Sequence, residues 1–347
     1  MATIPGSGAI TFSALQSEFG GSNPIALTEY YSGSLPIIGG SVPSSGALAV
    51  GNFRDSHAAK GLWGNGTNSM NALNFITETA STIAIVGLLQ RNGVNSSTKL
   101  YGISTSSTTS VTSVNFVTET FTSLTVGANP SPSSGGVGTA CNSSTAGYAY
   151  FDQQNANSIP TLPTNKTNVV KFTFSSETFS AGGSTTGVLF ANYGSSQSST
   201  KGYTGGYAYW TGDLFNPVDN VVNSIMGLTF SSDTASSIGK TLPGTTRWAT
   251  SQGNSTLKSY FYGGSTAVQG GTLQNTITAM PFSTETPVNL SATLVSAYAN
   301  QGGVPVCSGT KNWLNNQTLT YATETITSLG STVNPTQNCG QPYSIMP

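Results

Sequence analysis

The tightest constraint on this chain is a hexapeptide that it writes six times. The copies are "NFITET" (74–79), "NFVTET" (115–120), "TFSSET" (173–178), "TFSSDT" (229–234), "PFSTET" (281–286) and "TYATET" (320–325). The acidic positions, Glu78, Glu119, Glu177, Asp233, Glu285 and Glu324, recur at a mean spacing of about 49 residues, the length of one propeller blade. A second landmark runs in phase: Lys60-Gly61-Leu62, Lys99-Leu100-Tyr101, Ala146-Gly147-Tyr148, Lys201-Gly202-Tyr203, Lys258-Ser259-Tyr260 and Lys311-Asn312-Trp313. From the second copy on, a small polar turn such as "NSST" precedes it, and Gly often follows, as in "YTGG" and "YFYGG".

Each repeat therefore parses as four short strands. A Gly/Ala/Val-rich strand a enters the Ser/Thr turn, and an aromatic strand b leaves it. Strand c, as in "NTITAMPF", alternates apolar and polar residues. The acidic turn then leads into a short strand d. A four-stranded sheet repeated in this way buries its faces only against its neighbours, which selects a propeller over a sandwich. The spacing predicts an all-β fold with six four-stranded blades. Too few residues follow Glu324 to complete a seventh, so "NPTQNCGQPYS" near the end is expected to pair beside "KGLWGN" and close the ring. An unclosed ring would expose strand edges. The aromatic, Gly-Gly and E-T pattern over residues 58–347 resembles a divergent kelch repeat, with the Gly doublet clear only at Gly205-Gly206 and Gly263-Gly264.

Antiparallel strands put the a–b and c–d turns on one face of the ring. That face carries Lys60, Lys99, Lys201, Lys258 and Lys311 from one set of turns and the six acids from the other. Ion pairs across it are expected; the plain alternative is that both sets are solvated turn residues.

Charge is otherwise scarce. Only 7% of residues are charged and the formal net charge is −1, against about 25% charged in an average domain. With no basic block, nucleic acid is not an expected partner. Aromatics reach 10%, which argues for a packed protein rather than a disordered one. "MATIPGSGAITFSALQ" reads as a poor secretory signal. The apolar run "IAIVGLL" (83–89) is too short to span a bilayer, so no membrane insertion is expected. Cys141, Cys307 and Cys339 lie far apart, which fits a reducing cytoplasm better than a disulfide framework.

Residues 1–57 lack the blade pattern and carry a duplication of their own, "IPGSGAITFSALQSEF" (4–19) against "VPSSGALAVGNFRDSH" (42–57). Pro5 and Pro43, Gly8 and Gly46, and Leu15 and Phe53 align. So short a piece is expected to need the propeller or another chain to cover Ile10, Phe12, Leu15 and Phe19. "IPGSGAITFSALQSEFGGSNPIALTEYYSG" resembles the amino-terminal attachment module of structural proteins in tailed bacteriophages, notably cyanophages. The resemblance implies a virion protein, assembled in the host cytoplasm and anchored to other virion proteins. On that reading Ile4, Pro5, Ile10, Phe12, Leu15, Phe19, Tyr30 and Tyr31 are anchor candidates. A homo-oligomer in the particle is expected, and the bland alternative is a cap on one edge of the propeller.

Chemistry is thin. The one histidine, His57, stands in a row with Asp55 and Ser56, whereas a triad converges in space. No metal-ligand spacing or phosphate loop is present, and no cofactor, metal or catalytic residue is expected. Asp152, Asp213 and Asp219 leave a hydrolase open as a minor alternative. Binding is the stronger expectation. The third, fourth and fifth repeats carry insertions between strands b and c, opposite the Lys–acid face. They include "AYFDQQNAN" (149–157) and "GYAYWTGDLFNPVDN" (206–220), making Phe151, Asp152, Tyr207, Tyr209, Trp210, Asp213 and Phe215 ligand candidates. Aromatic faces beside carboxylates and amides suit host glycans or a protein interface; Tyr209 and Trp210 could equally pack between blades. The sequence thus points to a non-enzymatic virion protein displaying a propeller for host recognition. A purely architectural neck, tail or capsid part, or a cellular kelch-type scaffold, are the alternatives.

Overall fold

The structure is a computed structural model of the chain. It describes residues 4, 7–21, 26–32, 37–38, 41–53, 57–58, 60–64, 69–84, 92–103, 110–116, 120–126, 137–152, 167–184, 195–213, 216–244, 251–266, 271–297, 306–314, 316–329 and 343–344. The blade pattern of the sequence becomes six four-stranded sheets. Blades 2 to 6 are each consecutive in sequence, in the order a-b-c-d, and every pairing is antiparallel. Blade 1 is assembled from both parts of the chain. Its strands b, c and d are Lys60–Gly64, Ser69–Asn74 and Ala80–Ala84, and Tyr343–Ser344 lies beside strand b with Tyr343 opposite Leu62. The rest of the segment expected to pair there lies outside the described residues.

Both turns of the Lys–acid face follow from short-range chemistry. In the a–b turn, the Ser96 hydroxyl accepts from the Thr98 and Lys99 N–H groups, and Ser96 N–H donates to the Lys99 carbonyl. Ser143, Ser198, Ser255 and Ser308 do the same in their blades. This is the Ser-initiated turn that a side chain stabilises by imitating backbone. In the c–d turn, Glu78 N–H donates to the Asn74 carbonyl and Asn74 N–H to the Thr79 carbonyl. That geometry places the acid in the left-handed region: φ is +54° at Glu78, +52° at Glu177, +54° at Asp233, +50° at Glu285 and +51° at Glu324. A glycine would sit there without strain, whereas a side chain costs about 1 kcal/mol. The repeat keeps an acid at a position the backbone would give to glycine.

Packing between blades sets the small residues. Strand b carries Gly61, Gly147 and Gly202 at the position after the Lys or Ala landmark. A Cβ on each would overlap Val306, Val94 and Cys141, which come from strand a of the preceding blade. Where the preceding residue is smaller the pair changes. Ser196 meets Ser259 through a 2.5 Å hydroxyl contact, and Gly253 faces the larger Asn312. Bulk on one side is matched by its absence on the other. Beside this seam a side-chain amide bridges blades: Asn142 Oδ1 accepts from Asn95 N–H, and Gln197 Oε1 from Asn142 N–H.

The described residues among the first 57 build a small core together with Ala58 and Ile76. Helix Phe12–Phe19 starts at Thr11, whose hydroxyl accepts the Ala14 N–H, and stops at Gly20, φ +70°. Leu15, Phe19, Tyr30, Phe53, Ile4 and Ala58 are buried together, and Ile76 from the blade 1 c–d turn packs against them. The duplication survives in the backbone: Gly8 and Gly46 adopt φ +86° and +89°, and the aligned Leu15 and Phe53 are both fully buried. Residues of the propeller region, Ala58 and Ile76, share in covering Leu15 and Phe19. Among the described residues the segment also has two single-turn 3-10 helices (Leu27–Tyr30 and Val50–Phe53) and a strand pair (Ile37–Ile38 with His57–Ala58).

Candidate functional site

The repeated acid is an inter-blade receptor. Each pairs with a lysine from the blade before it: Lys99 with Glu177, Lys201 with Glu285 and Lys258 with Glu324, all at 2.8 Å. Lys311 of blade 6 reaches Glu78 of blade 1. Four of the acids, Glu177, Asp233, Glu285 and Glu324, also accept the hydroxyl of the strand-b tyrosine of the preceding blade. Tyr101 donates to Glu177 at 3.0 Å, Tyr203 to Glu285 at 2.8 Å and Tyr260 to Glu324 at 3.2 Å. The tyrosine ring stacks on the aromatic three residues before the acid, as in Tyr203 on Phe282 and Tyr260 on Tyr321. One hexapeptide thus offers a ring and a carboxylate to the same tyrosine.

Blade 3 is the informative exception. Ala146 stands where its neighbours have lysine, and Lys171, opposite Tyr148 on strand c, reaches Asp233 at 2.8 Å instead. Tyr148 donates to the same carboxylate at 2.6 Å. The charge has moved strands while the pair is kept. Glu119 lies outside the described residues. Lys60, whose pKa burial lowers, has Glu18 as the nearby charge that raises it.

These pairs are one-quarter to one-third exposed, so each contributes only about 0–1 kcal/mol. Their collective effect is testable by pH. The Glu177 carboxyl is held below its ordinary range chiefly by the Lys99 hydrogen bond. For Glu285 burial, the largest influence, pushes up, but the Lys201 and Tyr203 hydrogen bonds outweigh it and the net direction is down. A carboxylate depressed in the folded state stabilises fully above its unfolded value, about 4.3 for Glu. It loses that contribution as pH falls through the folded value. The thermal midpoint should therefore hold between pH 7 and 5 and drop below about pH 4.3. A Lys201→Met variant should show a shallower drop.

Burial of the thiols removes them from chemistry. Cys141 and Cys307 are free and buried, their thiols pushed up to about 12 and about 11 by burial. Neither should react with iodoacetamide in the native protein, and both should react after denaturation, as mass spectrometry would show. Among the described residues no group of three or more His, Cys, Asp or Glu could hold a metal ion. No helix among them is long and apolar enough to cross a membrane.

The opposite face is uneven. In blade 6, strands b and c are short, four residues each, and Leu314 pairs with Gln317. In blade 4, strands Lys201–Asp213 and Asn216–Thr229 run on as one hairpin, with Trp210 opposite Asp219 and Asp213 opposite Asn216. Thirteen residues of strand b span about 40 Å at 3.3 Å each, against five in blade 5. Tyr207, Tyr209, Trp210 and Asp213 thus lie on a strand, not in a loop, shifted in register from the blade proper by the irregularity between Gly205 and Tyr207. Phe151 and Asp152 end strand b of blade 3, Asp152 opposite Thr167. Phe215 and Pro5 lie outside the described residues.

The amino-terminal candidates divide by burial. Ile4, Leu15, Phe19 and Tyr30 are interior to the segment's own core, and Ile10 is half-buried against it. Tyr31 donates to the Gly46 carbonyl at 2.6 Å. Phe12, at 49% exposure, is the large apolar side chain there that faces solvent. Buried Glu18 accepts the Ala58 N–H on its carboxylate at 2.8 Å, and the segment is fastened to blade 1 by Asn74, which donates to the Glu18 carbonyl. No family model matches the chain, and no curated protein matches its sequence.

Proposed function

We propose that this is a non-enzymatic structural protein of a phage virion, with the amino-terminal segment as its anchor and the propeller as its display platform for host-surface recognition. The observation that carries the reading is the division of labour between faces. The segment resembling phage attachment modules rests on the blade 1 turn of the Lys–acid face, through Ile76 and Asn74. The blade 4 hairpin extends from the opposite side. A molecule held at the first site presents the second outward, and binding loops on a rigid frame are the common arrangement for recognition. The repeats, read as kelch-like, supply that frame, and the acids of the ring serve blade packing, not catalysis.

Immunogold electron microscopy on cyanophage particles tests it. Antibody to the hairpin should decorate intact particles, and antibody to residues 7–21 should decorate them only after dissociation. Absence of both from purified particles would overturn the virion reading. The architectural alternative predicts that neither epitope is reachable until the particle is taken apart.

A further inference from the structure

We infer that the outer strand of blade 2, Phe121–Thr125, pairs antiparallel with the same strand of a second copy of this chain. Among the described residues strand d is the outer, unpaired edge of every blade, and such an edge leaves a row of backbone donors and acceptors open to another strand. Soluble proteins blunt such edges with charge, proline, bulges or brevity. Among the described residues the six outer strands carry one charge, Lys240. Blades 3, 4 and 5 have register shifts between strands c and d. Blade 6 keeps its outer strand to four residues, and that of blade 1 is Ala-rich, with low β propensity. Blade 2 uses none of these devices. Its c–d pairing runs unbroken from Ser110 opposite Thr125 to Val114 opposite Phe121, and Phe-Thr-Ser-Leu-Thr suits a strand throughout.

The occupant follows from self-complementarity. A two-fold axis through Ser123 sets Thr122 opposite Leu124 and Phe121 opposite Thr125. No like charges meet, and an aromatic faces a β-branched residue, a favourable cross-strand pair. Thr122, Ser123 and Thr125 are exposed, while Leu124 packs inward against the blade 2 and 3 core. The second copy can therefore approach without disturbing the core. The inference does not depend on what the molecule attaches to.

Sedimentation of the full chain over a range of concentrations tests it with Ser123→Lys and Ser123→Glu. The wild type should dimerise. Each variant alone should dissociate about tenfold more readily, because like charges then face each other at the axis, with an unchanged thermal midpoint at low concentration. An equimolar mixture of the two should recover the dimer. A wild type that stays monomeric, a Ser123→Lys protein that dimerises normally, or a mixture that does not recover would each overturn the inference.

Discussion

Gly147→Ala should destabilise the protein by about 1–3 kcal/mol, and Val94→Gly should return part of that loss. A Cβ at residue 147 would overlap the stem of Val94, not the end of a flexible side chain. Val94 is fully buried among Tyr101, Val111 and Phe172 and has nowhere to retreat. Gly147 is itself pinned between Asn142 and Phe172 in a central strand. Val94→Gly alone also destabilises, by lost burial and a looser strand. The double variant should cost less than the sum of the two, because the new methyl takes space the valine vacated. Gly253 facing Asn312 shows the exchanged arrangement already in use. Urea unfolding of the four proteins gives the coupling. Strict additivity would contradict the rule that bulk is shared across each blade seam.

The second large effect concerns the seam between blades 6 and 1. Trp313 takes the place of the strand-b tyrosine and stacks on Phe75 with ring centroids 5.0 Å apart. It is buried, and its indole N–H has no hydrogen-bond partner among the described residues. Trp313→Ala should cost about 3–5 kcal/mol. Trp313→Tyr should cost far less, within about 1.5 kcal/mol of wild type. It removes an unpaired buried donor and sets a hydroxyl where four other blades direct one to the acid, here Glu78. Thermal midpoints of the two variants separate the cases. Equal losses would mean that the bulk of the indole, not the shared stacking geometry, holds this seam.

The blade count was legible because the c–d turn needs one unusual residue, an acid at positive φ, and the chain repeats it openly. The face shared by lysines and acids was legible from strand alternation. That Lys99, Lys201, Lys258 and Lys311 each reach the acid of the following blade was not, because a turn sequence carries no information about its neighbour across a seam. Ala146 was the visible clue to Lys171: a missing charge with a lysine 25 residues on, at the cross-strand position. The strand-b glycines could be seen but not explained, since their cause is a side chain of another blade, far away in sequence. The caps of the helix Phe12–Phe19, Thr11 and Gly20, are residue types a helix end favours, but the repeat pattern of the chain carries no trace of them. In blade 4 the insertion was visible as added length. Its run as a continuous hairpin was hidden by Gly205-Gly206, Gly212 and Pro217, which ordinarily read as loop.

The central claim is that the blade 4 hairpin of an anchored virion protein contacts the host surface. The direct measurement is saturable binding of the labelled full chain to cyanobacterial cells, beside a version with Tyr207, Tyr209 and Trp210 changed to Ala and the same thermal midpoint. Binding by the wild type, reduced at least about tenfold in the triple variant, is the predicted result, because aromatic residues carry most of the energy at such contacts. Binding that the triple variant retains in full, or no binding by the wild type to any of a panel of cyanobacterial strains, would contradict it.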